Sequence, residues 1–168
     1  MDKMTFENHY MKQFDEELEE IRTRLMEMGG KVEQQLQNAI RAIGEADSKL
    51  AEEVIKEEQL VDNMEVDIDE ACILIIARRQ PAASDLRLVM MVTKAVNDLE
   101  RIGDEAKKIA NHALILANES GSSKGYTEVR HLGQSVISML SNALDAFARF
   151  DVDAAMRTIE EDKQIDQE

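Results

Sequence analysis

Along the first 45 residues, apolar side chains recur at steps of three and four: Phe14, Leu18, Ile21, Leu25, Met28, Val32, Leu36, Ala39 or Ile40, and Ile43. That period is one stripe of an α-helix and predicts a single long amphipathic helix from about Thr5 to Glu45. The stripe runs through Gly29-Gly30 without losing phase, so Gly29 is expected to mark a close helix contact rather than a C-cap. Asp47 then suits the N-cap of a second helix reaching about Arg79, with its seam at Leu50, Val54, Val61, Met64, Ile68, Cys72 and Ile75. Arg78 and Arg79 complement the negative end of that helix and Pro81 stops it, while Ser84 and Asp85 are placed to cap and charge the next. A third helix, from about Ser84 to Ala117, is apolar at Leu88, Val92, Val96, Leu99, Ala106, Ala110 and Ala113. Residues 119–126, with Ser, Gly and Lys, read as a linker. A fourth helix is expected from about Thr127 to Phe150 and a fifth from Asp151.

Composition narrows the class. Hydrophobic residues make up 43% of 168, enough for a core, but aromatics are only 4%, Trp is absent and Met occurs ten times. A core of Leu, Ile, Val, Ala and Met suits helices packed side by side, so the fold class is all-α. The 35 acidic against 20 basic residues leave a net charge of -15, which disfavours free binding to nucleic acid or an anionic bilayer and favours cations and basic proteins. The single Cys72 sits in an apolar run and reads as a buried thiol. The N-terminus lacks an apolar signal region and no window approaches a membrane span, so a soluble cytoplasmic protein is expected.

Sliding the sequence against itself by 104 residues gives an ungapped match. Gly29 falls on Gly133, Val32 on Val136, Leu36 on Leu140, Ala42 on Ala146, Asp47 on Asp151, Ala51 on Ala155, Ile55 on Ile159 and Asp62 on Asp166. The expected architecture is a tandem repeat of antiparallel three-helix bundles. Residues 1–118 form the first bundle, and 127–168 supply the first two helices of a second, incomplete one. Helices four and five alone would leave an apolar groove, an association or domain-swapping site.

The carboxylates are arranged with a period. Glu100 and Asp104 lie one helical turn apart with Gly103 between them, a spacing expected to leave neighbouring oxygens accessible. Asn97 shares their strip. On the second helix Glu58, Asp62, Glu65 and Asp69 form one column. The repeat turns Glu58-x-x-x-Asp62 into Asp162-x-x-x-Asp166. Four carboxylates in a column repel one another, so Lys and Arg from neighbouring helices must neutralise them, or a metal must. On the residues alone the solvated, salt-bridged face comes ahead of the metal.

The segments RRQPAASDLRLVM (Arg78 to Met90), DLERIGDEAKKI (Asp98 to Ile109), EQQLQNAIRAI (Glu33 to Ile43) and LDAFARFDVDAA (Leu144 to Ala155) together resemble the PhoU family of regulators of phosphate uptake. The resemblance covers essentially the whole chain, but the last helix and the second ERIGD motif of a complete second bundle are missing. It implies a cytoplasmic, usually dimeric, non-enzymatic protein, peripheral at the inner membrane only through its partners. Such a protein binds no nucleic acid and represses phosphate-starvation signalling. It links the ATPase subunit of the phosphate ABC transporter, PstB, to the sensor histidine kinase PhoR. Family members bind iron, zinc or other metal clusters through Glu/Asp-x-x-x-Asp motifs. The motif positions here are Glu58 with Asp62, Glu100 with Asp104, and Asp162 with Asp166, with Glu65, Asp69 and Asn97 as neighbours by helical geometry.

Two other readings compete. A ferritin-like carboxylate metalloenzyme needs two Glu-x-x-His motifs aimed into a bundle core. This chain has one such spacing, Glu128 to His131, without a twin. A purely structural bundle would leave every carboxylate as solvated surface. Nucleophile triads, phosphate-binding Gly loops and Cys/His zinc spacings are absent, so hydrolase and nucleotide-binding functions have no residues to carry them.

Overall fold

A computed structural model describes residues 3–118 and 126–165, and all of its elements are helices. They are α1 (Lys3–Glu45), α2 (Ser48–Arg79), α3 (Ala83–Asn118), α4 (Tyr126–Arg149) and α5 (Val152–Ile165). The expected linker lies almost wholly outside the described residues, as does Asp166.

The first three helices pack mutually, and the predicted stripes meet at their centre. Ile21, Leu25, Met28, Val32, Val54, Val61, Ile68, Val89, Val92 and Val96 are all buried, with Ala106, Ala110 and Ala113 letting α3 lie close against its neighbours. Cys72 belongs to this core, and its burial pushes the thiol pKa up.

The turns that separate the helices repeat with the sequence. Ala46 and Phe150, mates under the 104-residue shift, both adopt positive φ, 53° in each. In each turn the following Asp closes the helix end, donating from its backbone N–H to the carbonyl of Ala42 (3.0 Å) or Ala146 (2.9 Å). Its carboxylate then starts the next helix. Asp47 Oδ1 accepts from the N–H groups of Lys49 and Leu50, and Asp151 Oδ1 from that of Ala154. The α2 end also fits expectation: Gln80, at φ 49°, bonds back to Ile76 and precedes Pro81.

The start of α3 differs. The helix opens at Ala83, so Ser84 lies inside its first turn and turns its hydroxyl to the Asp85 carboxylate at 3.3 Å instead of capping backbone. Asp85 still charges that turn.

The α4 helix packs antiparallel on α1, and the predicted close contact at Gly29 is half of a symmetric pair. A Cβ on Gly29 would come within 2.6 Å of the Leu144 side chain, and one on Gly133 within 2.7 Å of Ile40. Gly133 is the repeat mate of Gly29, and Leu144 that of Ile40. The two repeats therefore meet about a local twofold axis crossing the α1–α4 seam. Arg22 extends the seam, stacking its guanidinium 4.7 Å over the Phe150 ring and donating to the Ala148 carbonyl.

The α5 helix folds back on α4, leaving an open apolar groove of about 460 Å³ lined by Met91, Ala146, Phe147, Phe150, Ala155 and Ile159. In the first repeat the mates of Ala146 and Ala155, namely Ala42 and Ala51, are fully buried within the three-helix bundle. Among the described residues no helix is long and apolar enough to cross a membrane.

Candidate functional site on the second and third helices

The α2 and α3 helices run antiparallel, and their register is set by three contacts. Val61 lies against Gly103, Cys72 hydrogen bonds with Thr93, and Glu58 forms an ion pair with Lys107, Oε1 to Nζ, at 2.5 Å. Across that register the predicted carboxylates come together on the face of the α2–α3 hairpin turned away from α1. Glu58, Asp62 and Glu65 stand on one ridge and Glu100 and Asp104 on the other, all half-buried.

The charge on this face is poorly compensated. Burial pushes the Asp62 carboxyl above its ordinary pKa, as does the negative charge of Glu58 and Asp104, while Lys107 pulls it back. Burial raises Glu100 in the same way, reinforced by Asp104, Asp62, Glu65 and Glu58. Lys107 answers in the opposite sense, its ammonium held charged by the hydrogen bond to Glu58 and by Asp104 and Asp62. Lys107 thus answers Glu58, Asp62 and Asp104, and Lys108, paired with Glu105, adds a weaker positive charge near Asp104 and Glu100. Of the five carboxylates on the two ridges, Glu58 makes the direct ion pair that the salt-bridged account requires.

Gly103 has a different role from the one its position suggested. It is buried and faces the core, where a Cβ would stand 3.2 Å from Gln35 Oε1 and 3.3 Å from Val61. The missing side chain brings α1 and α2 close to α3 and does nothing to open the carboxylate face. Gln35 is itself buried, donating to the Val54 carbonyl at 3.3 Å.

The remaining predicted residues are dispersed. Asn97 is exposed and turns its amide N–H to the Thr93 carbonyl of its own helix at 2.7 Å. Asp69 is half-buried near Cys72, one turn beyond the cluster. Asp162 is exposed on α5. Glu128 and His131 are both exposed on α4, so the single Glu-x-x-His spacing points no ligands into a core. Lys107 was not foreseen, although it lies seven residues after Glu100 and therefore on the same strip.

The donor set is all oxygen, which suits a hard cation, and the excess negative charge is of the kind a cation relieves. As the side chains stand, no three His, Cys, Asp or Glu among the described residues converge closely enough to hold one. Closing around an ion takes side-chain rotation, with Glu58 leaving Lys107.

The PhoU domain model matches residues 25–113 and 129–168. The chain is 52% identical over all 168 residues to a phosphate-specific transport system accessory protein PhoU homolog of Pseudomonas putida, spanning 66% of that protein. It is 51% identical to the phosphate-specific transport system accessory protein PhoU of Escherichia coli (strain K12), spanning 69% of it. The chain thus covers about two thirds of the length of these relatives. The crystal structure of PhoU from Pseudomonas aeruginosa superposes with a TM-score of 0.89 at 51% identity, over 92% of this chain and 74% of that one. The phosphate transport system regulatory protein PhoU from Streptococcus pneumoniae does so at 0.83 and 29% identity, over 92% of this chain and 72% of the other. The five helices, their order and their packing are those of this group: the chain belongs to the PhoU family.

Proposed function

We propose that this chain acts in regulating phosphate uptake and phosphate-starvation signalling as an adaptor, without chemistry of its own. Its partners in this reading are the ATPase subunit of the phosphate ABC transporter and a sensor histidine kinase. The observation that carries the reading is the match along the whole chain to proteins named as accessory to phosphate-specific transport. The physical character of the molecule supports it. A net charge of -15 and a concentrated acidic face on α2 and α3 suit binding to basic protein surfaces. The adaptor works at the inner membrane from the cytoplasmic side, as a homodimer, with residues 1–118 as one bundle and 127–168 as part of a second. A pull-down of both partners, with and without phosphate, tests the adaptor role. Association that responds to phosphate is expected, and no association with either protein sinks the reading.

The same face is proposed to take a metal ion, iron or zinc, held by Asp62, Glu100 and Asp104 with Glu58 and Glu65 alongside. Asp162 with Asp166 is the corresponding pair of the second repeat. The ion would supply positive charge where Lys107 and, more weakly, Lys108 are outnumbered by five carboxylates. Added Fe or Zn is then expected to raise the melting temperature of the wild type and leave that of a Glu100→Ala, Asp104→Ala variant unmoved. In chelator the order inverts, because removing two repelling carboxylates stabilises the metal-free face. Equal metal response in both proteins would reject these ligands.

A further inference from the structure

The carboxylates fill only part of their ridges. On α2, Glu58, Asp62, Glu65, Asp69, Ile73 and Ile76 follow one another at helical spacing, one line along about five turns. On α3, Leu86, Met90, Thr93, Asn97, Glu100, Asp104 and Lys107 form the facing line. The antiparallel register set by the Cys72–Thr93 and Glu58–Lys107 contacts puts Ile76 level with Val89 and Ile73 level with Val92. The outer groove between the ridges is therefore acidic at one end and apolar at the other, next to the Pro81 turn.

The apolar end is not part of the core. Ile73 is 56% exposed, Met90 44%, and Ile76 and Leu86 38% each, while Val89 and Val92 beneath them are fully buried. The α2–α3 contact is centred on those buried valines, and the four side chains stand partly outside it. An exposed apolar cluster continuous with a charged one has the form of an interface in which the first part anchors and the second selects.

We infer that the outer α2–α3 groove is a docking site for an amphipathic helix of a partner protein, apolar in its first turns and carrying Lys or Arg about three turns later. The inference rests on the adaptor reading and gives it a surface. Charge decides the occupant. A second copy laid on this face brings carboxylates against carboxylates if parallel, and against exposed Ile and Met if antiparallel and fully overlapped, so no isologous contact gives the acidic end a partner. Anionic membranes and nucleic acid are repelled by the same cluster. A basic helix meets it with opposite charge. Spacing agrees as well, since Ile73 and Asp62 are about 16 Å apart along α2, a distance another α-helix matches residue for residue.

The test uses the full chain with a photo-crosslinking amino acid at Ile73 or Met90 and, for comparison, at Val129 or Met156, exposed positions on α4 and α5. Each is mixed with the transporter ATPase subunit and the kinase. Alongside, two double variants are measured for binding: Ile73→Ser, Met90→Ser at the apolar end and Glu65→Lys, Glu100→Lys at the acidic end. All four positions are at least partly exposed, and circular dichroism checks that the helices persist. Expected are crosslinks from Ile73 and Met90 into a helix of one partner, at least tenfold weaker binding for each variant, and a salt dependence that the charge reversal removes. Crosslinks from Val129 or Met156 alone, or both variants binding like wild type, overturn the docking site and leave the adaptor reading standing. No crosslink from any position together with no association overturns both.

Discussion

Three glycines on α1 and α4 differ only in what surrounds them, and one added methyl group separates them. At Gly133 a Cβ would meet three atoms of Ile40 within 2.8 Å, and Ile40 is buried and β-branched. Gly133→Ala is expected to cost roughly 1–3 kcal/mol in overpacking, of which about 1 kcal/mol is returned by helix propensity. Gly29→Ala meets the tip of the more pliable Leu144 and costs less. Gly30 has nothing within 4 Å, so Gly30→Ala gains up to about 1 kcal/mol. Urea denaturation ranks the three, and a Gly30→Ala variant as unstable as Gly133→Ala would discredit the seam as described. A second residue-scale case is Glu17. Its carboxylate accepts two hydrogen bonds from Arg79, 2.8 Å from Nε and 2.6 Å from Nη2, which hold its pKa below the ordinary 4.5. A depressed carboxylate stabilises the fold above its unfolded pKa, and that contribution is lost as pH falls through the folded value. Glu17→Gln should therefore lower stability by about 2 kcal/mol at neutral pH and progressively less below pH 4.5. A deficit that stays constant down to strongly acid pH would show that the pair's charge contributes nothing.

At the scale of elements, the repeated turn is the test case. Asp47 holds two N–H groups of the first turn of α2, and Asp47→Ala is expected to cost about 1 kcal/mol. Asp151→Ala should cost no more, since Asp151 holds one, at Ala154. Thermal melts followed by circular dichroism compare them, and a larger loss at Asp151 would contradict the hydrogen-bond assignment. These elements were legible in sequence because a period of three and four names the buried face of each helix, and Asp-initiated starts and Pro81 name the ends. What a one-dimensional period omits is which helix lies opposite a face. Spacing alone therefore puts Gly103 on the carboxylate side when it faces Gln35 and Val61, and makes Ser84 a cap that the helix start at Ala83 removes. The α2 and α3 carboxylates were each found as a column, but their meeting across the hairpin, with Lys107 between, depends on an antiparallel register that no local pattern encodes. Ile73 and Met90 are hidden in the sequence for the same reason: apolar residues carry a signal when they continue a stripe, and these two lie off it.

Charge governs the molecule as a whole. At -15, repulsion between carboxylates opposes the compact state, and it is screened over about 10 Å at 0.1 M salt. Raising sodium chloride from about 20 to 200 mM should lift the melting temperature by a few degrees. A flat or falling profile would mean that ion pairs such as Arg79–Glu17 outweigh the repulsion. The twofold seam between α1 and α4 carries a further consequence, one of inheritance. In a homodimer a change at a symmetric contact is felt twice at once, because both sides come from one codon. Here Gly29 and Gly133 are separate codons, as are Ile40 and Leu144, so each half of the seam can vary while the other holds. Ile40 on one side and Leu144 on the other already show that freedom: a gene carrying both copies of its own interface can explore asymmetry one substitution at a time.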